Sequence, residues 1–172
     1  ARTMPPALAE AEDIVELDLD GNPAPGDSRR LYLERFIHGE IYRVRPDVQA
    51  GVHSHSPAVL PFCITRSQPL RPVCHMSGFL GSGTPLFEIR EFAGMASDHL
   101  IRSPELGAAL AATLGTQALV VMRGHGSTAV GPTLKQAVYR AIYSEVNARI
   151  QLEGLRLGVV CFLNEHEAQN CD

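Results

Sequence analysis

Three histidines from two distant segments are the residues best suited to chemistry in this chain. His53 and His55 stand in GVHSHSP, and His125 stands in MRGHGS. On a strand, side chains at i and i+2 point to one face. His53 and His55 can therefore grip one ion while Ser54 faces away, and a third imidazole from elsewhere closes the site. Three histidines leave coordination positions for water or substrate, which is the pattern of a catalytic rather than a structural divalent site. Zinc suits imidazoles, and manganese or iron also fits three histidines with oxygen donors. An H-x-H pair alone is a weak signal, because it arises often by chance. His125 strengthens it. The apolar run Ala118 to Met122 reads as a buried strand, and Gly124 and Gly126 flank the histidine at its end, where backbone can approach closely. His99 and His166 read as solvated or satisfied surface groups.

The elements that must carry these residues follow from pattern. Ile14 to Gly21 alternates apolar and acidic residues and ends in D-G, which predicts a half-exposed strand. Leu31 to Arg45 places Leu33, Phe36, Ile37, Ile41 and Val44 at helical spacing, stopped at Pro46. AGVHSH is the next strand. Ser56 as N-cap and Pro57 in the first turn predict a helix. Short strands and turns are expected through PVCHMSGFLGSGTPLFEI. PELGAALAATLG reads as an amphipathic helix ended by Gly115. The segment from Thr133 to Leu155 is the longest helix, and LGVVCFLNEHEAQ suggests a late strand leading into a short helix. Strands alternating with helices point to an α/β layered domain. Glu34 and His38, four apart, share one helix face. They are either a solvated carboxylate and a satisfied histidine, or a carboxylate aimed at the metal with His38 behind it.

Composition bounds the function. A chain of 172 residues fits one domain. A net charge of -4 argues against a nucleic-acid partner. No apolar run is long enough to span a membrane, and the first residues lack the apolar core of a signal peptide. Cys63, Cys74, Cys161 and Cys171 show neither C-x-x-C spacing nor a dense framework, so they read as reduced thiols of a cytoplasmic protein, with Cys63 a buried small hydrophobe.

Taken together, EDIVELDLDG, ERFIHGEIYRVRPDVQAGVHSHSP and VVMRGHGSTAVGPTLKQAVYRAIYSEVNARIQ resemble the class II aldolase/adducin family. The resemblance runs over nearly the whole chain. It implies that Glu34, His53, His55 and His125 form the site of one divalent metal ion. It also implies a single domain over residues 1–172, with a three-layer α/β/α fold and a largely antiparallel central sheet. A homotetramer with sites at subunit interfaces is expected. The family's N-terminal segment, with a G-N-x-S turn that helps hold the substrate anion, is not matched here, so residues from it are not assigned.

HSHSPAVLPF, LRPVCHMSGFLG, PLFEIREFAG and YRAIYSEVNARIQ look like the branch that decarboxylates hydroxylated aromatic dicarboxylates, of hydroxypyridine or dihydroxyphthalate type. The implied substrate is a small aromatic carboxylate whose ortho-hydroxyl and carboxylate chelate the metal. Glu34 is the expected proton donor, on the argument that partial burial raises a carboxyl toward neutrality. Arg71 and His75 are candidates for holding a second carboxylate or a ring oxygen, or are structural. Tyr139 and Tyr143, at i and i+4 on the longest helix, suit core packing. A sugar-phosphate or hydroxy-acid aldolase is the second reading, and a non-heme iron oxygenase on a hydroxyaryl acid the third.

Overall fold

The structure, a computed structural model, describes residues 6–171. Among them, strands β1 (Ala50–Ser54), β2 (Leu86–Phe87), β3 (Leu119–Met122) and β4 (Gly126–Gly131) form one sheet in the order β1-β4-β3-β2. The helices are α1 (Phe36–Val44), α2 (Leu60–Ile64), α3 (Arg90–Ala93), α4 (Pro104–Leu114), α5 (Leu134–Leu157) and α6 (Glu165–Asn170). β4 pairs antiparallel with both β1 and β3, whereas β2 runs parallel to β3. The sheet is thus mixed and mostly antiparallel.

β3 explains why the sheet is covered on both sides. All four of its residues are buried, and a strand sends successive side chains to opposite faces. Val120 and Met122 join a core with Ile37 and Ile41 of α1 and Leu110 and Leu114 of α4. Leu119 and Val121 join a second core with Phe62 and Cys63 of α2, Phe79, Leu80 and Ala148 of α5. β4 repeats the division, with Val130 on the first side and Ala129 on the second. Helices therefore lie on both faces, as an α/β domain requires. Each fully buried Leu or Ile contributes roughly 1.5–3 kcal/mol relative to exposure.

Local chemistry sets the helix ends. Ser103 Oγ accepts from the Leu106 N–H at 3.4 Å, Pro104 opens α4, and Gly115 closes it at φ +54. Thr133 Oγ1 accepts from the Gln136 N–H at 3.2 Å and caps α5. The inner face of α5 is polar, with Ser144, Asn147 and Gln151 at most 1% exposed. The Asn147 and Gln151 amides satisfy backbone of the chain crossing beneath. Asn147 Oδ1 accepts from the Val73 N–H at 2.9 Å, and its Nδ2 donates to the Arg71 carbonyl at 2.8 Å. Gln151 accepts from the Arg71 N–H at 3.0 Å and donates to the Pro69 carbonyl at 2.8 Å. With those groups taken, residues 69–74 need no strand partner.

Four sequence expectations change. Residues 14–21 form no strand: a short 3-10 turn at Ala11–Asp13 precedes a single bridge, Leu17 to Pro23, and Asp18 accepts from the Asn22 backbone at 2.8 Å. The helix expected over 31–45 begins at Phe36, preceded by a 3-10 turn at Leu33–Arg35. Ser56 does not cap a helix; its hydroxyl donates to Glu145 at 2.9 Å, and α2 starts at Leu60. The late strand near 158–164 is extended chain that joins no sheet among the described residues, with the Leu163 N–H on the Pro72 carbonyl at 3.0 Å.

Candidate metal centre

The sheet register brings the histidine segments together. β1 pairs with β4 so that His53 faces Thr128 and Ser54 faces Ser127. β3 and β4 are joined by the turn Arg123–Gly124–His125, which passes through φ +62 at Gly124. That left-handed φ favours glycine. Gly126 then lets the tip of the hairpin close on the end of β1, because a Cβ there would stand 2.1 Å from the Ser54 carbonyl oxygen. His125 is thereby set against His53 and His55.

Their Nε2 atoms form a tight triangle. His53 to His55 is 3.0 Å, His55 to His125 is 2.9 Å and His53 to His125 is 3.3 Å. Glu34 Oε2 lies 3.5 Å from His53 Nε2 and 3.3 Å from His125 Nε2. These four residues supply donor atoms that all lie within 4.8 Å of one another. Glu34 is buried, whereas His55 is exposed and leaves its side of the cluster open to solvent.

Hydrogen bonds behind the rings decide what the triangle can hold. His125 Nδ1 meets the His99 carbonyl at 2.7 Å, and His53 Nδ1 meets the Ser127 carbonyl at 3.2 Å. A carbonyl only accepts, so both Nδ1 atoms carry the proton, and the neutral rings present Nε2 lone pairs inward. Lone pairs about 3 Å apart repel unless a cation lies between them. A divalent ion held at about 2.0–2.1 Å from each imidazole is a donor arrangement of that kind, and a carbonyl-bound Nδ1–H is the usual support of a metal-ligating histidine. The residues therefore fit the ion.

The electrostatics agree. Burial lowers the His125 pKa, but the hydrogen bond and charge of Glu34 outweigh it and leave it raised. Burial lowers that of His55, as do its two histidine neighbours. Burial raises the Glu34 carboxyl, but the neighbouring His125 and His53 rings and the hydrogen bond from the Ile101 N–H hold it well below the usual carboxylate range. This corrects the expected raised pKa: Glu34 stands ionised beside the histidines. Its placement is also corrected. Glu34 sits in the 3-10 turn at φ -91, ψ 23, not on a shared helix face with His38, and its Oε1 accepts from the Ile101 N–H at 3.0 Å. His38 packs between Tyr32 and Tyr42, and burial, then the charge of His53, pushes its pKa down to about 4.

Arg71 and His75 are not brought into this cluster. The Arg71 guanidinium lies over the Phe162 ring at 4.2 Å, and His75 is exposed at the start of the 3-10 helix His75–Leu80. Tyr139 donates to the Met76 carbonyl at 2.9 Å and packs against Tyr143. Sequence reasoning missed His99 and Ile101. His99 is partly buried at φ +67; its ring is satisfied, as one of the two sequence readings has it, and its carbonyl also holds His125. A backbone carbonyl leaves no trace in residue type. The sequence hint was the compact D-H before the buried Ile101.

The sequence profile of the Class II Aldolase and Adducin N-terminal domain matches residues 2–152. The chain is 42% identical over 185 residues to decarboxylase tropJ of Talaromyces stipitatus, covering 95% of this chain and 69% of that protein. It is 33% identical over 156 residues to 3,4-dihydroxyphthalate decarboxylase of Arthrobacter keyseri, covering 86% of this chain and 59% of that one. The chain thus spans about three fifths to two thirds of these relatives. An L-fuculose 1-phosphate aldolase structure superposes with a TM-score of 0.76 at 22% identity, covering 96% of this chain and 73% of that one, which shows the fold.

Protons and the ion compete for the same Nε2 lone pairs. Wild-type protein is expected to carry one divalent ion per chain at neutral pH and to lose it on acidification through the histidine range. The sign follows from protonation of the ligands as pH falls, which the raised pKa of His125 favours. His55→Ala is expected to lose most of the bound metal while keeping its circular dichroism spectrum. Elemental analysis checks both, and full metal content in His55→Ala contradicts the site.

Proposed function

The chain belongs to the class II aldolase and adducin family, and within it we propose a metal-dependent carbon–carbon lyase that decarboxylates a hydroxylated aromatic or heteroaromatic acid. The observation that carries this reading is the inward convergence of three Nε2 atoms, 2.9–3.3 Å apart, beside an ionised Glu34. Identity to two decarboxylases supports the choice of reaction. His53, His55 and His125 would hold the ion, whether zinc, manganese or iron, with Glu34 as a further donor or as the acid–base group. When bound, a divalent ion supplies a Lewis acid that stabilises negative charge on substrate oxygens.

The protein's own groups account for the proton. Glu34 is ionised, so it first acts as a base, taking the proton of the substrate's ortho-hydroxyl. Its Oε1 is held by the Ile101 N–H at 3.0 Å, so Oε2, the atom facing the histidines, carries the proton. The bond between ring and carboxylate then breaks, its electron pair stays on the ring carbon, and carbon dioxide leaves. Glu34 returns its proton to that carbon and is an ionised carboxylate again. A carboxylate that begins and ends ionised suits a site that pulls its pKa down.

The expected homotetramer remains part of this proposal. Leu134, Val138 and Ile142 are 70%, 40% and 55% exposed at successive i, i+4 positions of α5, an apolar stripe that a second copy would cover. Light scattering is expected to give a mass of four chains, and a monomer at micromolar concentration contradicts this.

Full-length protein should release carbon dioxide from an ortho-hydroxyaryl carboxylic acid without taking up oxygen. Methylating the ortho-hydroxyl should abolish turnover, because both the proton that Glu34 takes and a metal-binding oxygen are altered. Glu34→Gln is expected to lose on the order of a hundredfold or more in rate. Oxygen uptake matching product formation moves the assignment to an oxygenase, and cleavage of a sugar phosphate at comparable efficiency moves it to an aldolase.

A further inference from the structure

Glu88, directly after β2, is 6% exposed, yet three guanidinium groups meet on it. Arg90 lies at 2.6 Å, Arg123 at 2.8 Å and Arg66 at 3.4 Å. Burying a carboxylate with its cations is weak evidence for stability, so their arrangement calls for another reason. Arg123 supplies one. It opens the β3–β4 turn two residues before His125, and its N–H donates to the Phe87 carbonyl at 3.0 Å. Its side chain turns back so that Nε donates to Glu88 Oε1 at 2.8 Å.

The other end of that guanidinium touches His99. Arg123 Nη2 lies 3.5 and 3.4 Å from the two ring nitrogens of His99. His99 Nδ1 meets the Arg123 carbonyl at 3.2 Å, so that nitrogen carries a proton and cannot accept from the guanidinium. The His99 carbonyl, in turn, accepts from His125 Nδ1 at 2.7 Å. His99 thus clasps the turn twice: its ring holds residue 123, and its carbonyl holds the ring of residue 125. It does so at φ +67, a conformation that non-glycine residues rarely adopt. Ser97 Oγ accepts from the His99 N–H at 3.1 Å and steadies that backbone.

We propose that Glu88, Arg123 and His99 form a positioning relay that fixes the tautomer and direction of His125, so that metal affinity depends on a carboxylate outside the ligand set. Glu88 orients Arg123, Arg123 packs the His99 ring onto the turn, and the His99 carbonyl keeps the proton of His125 on Nδ1. None of the three is a catalytic residue. This rests on the metal-centre reading, and the test separates the two.

The probe is cobalt(II), titrated into metal-stripped full-length protein and followed by its visible absorption. Arg123→Met deletes the guanidinium but keeps the stem. His99→Gly deletes the ring and accepts the left-handed φ without strain. Each is expected to weaken cobalt binding about 10- to 100-fold, the usual loss when a support of a ligating histidine is removed, and to shift the absorption bands. Arg123→Lys, which keeps a cation against Glu88, should recover part of the affinity. Because Arg123 acts through His99, the double variant should bind no more weakly than His99→Gly alone. Wild-type affinity and bands in Arg123→Met overturn the relay, as do additive losses in the double variant. If Arg123→Met does not fold, His99→Gly decides alone, and wild-type binding there overturns the proposal. A wild-type protein that binds no stoichiometric cobalt overturns the metal centre itself, a result distinct from equal binding by wild type and variants.

Discussion

Two imidazole protons organise this site. The Ser127 and His99 carbonyls each take an Nδ1–H, from His53 and His125. Both rings must then turn their lone pairs toward one point, where His55 and Glu34 also aim theirs. Without a cation that convergence is repulsive, so the fold spends stability on it. The sheet makes the arrangement possible. β4 lies between β1 and β3, so the end of β1 and the hairpin after β3 meet at one edge. Gly126 permits the contact, and two apolar cores, one on each face, hold the strands rigidly enough to keep it.

Glu34 and Glu88 show two uses of a buried carboxylate. Burial raises the pKa of Glu34, and the His125 and His53 rings with the Ile101 N–H reverse the effect. The expectation of a raised pKa weighed burial and left out those neighbours, which no sequence pattern displays. Glu88 is held down to about 2, chiefly by its hydrogen bonds with Arg90 against the opposing effect of burial, with help from Arg123. One faces the histidine cluster and is placed to exchange a proton with a ligand held there. The other is occupied on every side and can only orient its neighbours.

The legible parts of the sequence were those with strong periodicity or a rigid local rule. β3, α4 with its Pro104 start and Gly115 stop, and α5 are where hydrophobic spacing and capping place them. The four residues of the cluster were named from residue type, strand spacing and family resemblance, and the fold brings them together. The failures are equally physical. The alternating residues of 14–21 close on themselves instead of joining the sheet, with Leu17 bridged to Pro23 and Asp18 holding the Asn22 backbone. Residues 69–74 and 158–164 are extended but bonded to side chains or to each other's backbone. The role of His99 was missed because its contribution is a carbonyl and a left-handed φ. Of the two readings the sequence left open for Arg71, substrate-holding or structural, the stacking on Phe162 far along the chain favours the second.

X-ray absorption spectroscopy of the metal-loaded protein tests the central claim most directly. The fine structure reports how many imidazole rings surround the ion and at what distance. The account predicts three imidazole nitrogens per ion near 2.0–2.2 Å, the remaining ligands being oxygen and no sulfur. Two or fewer imidazoles, or a sulfur scatterer from a cysteine, would contradict it.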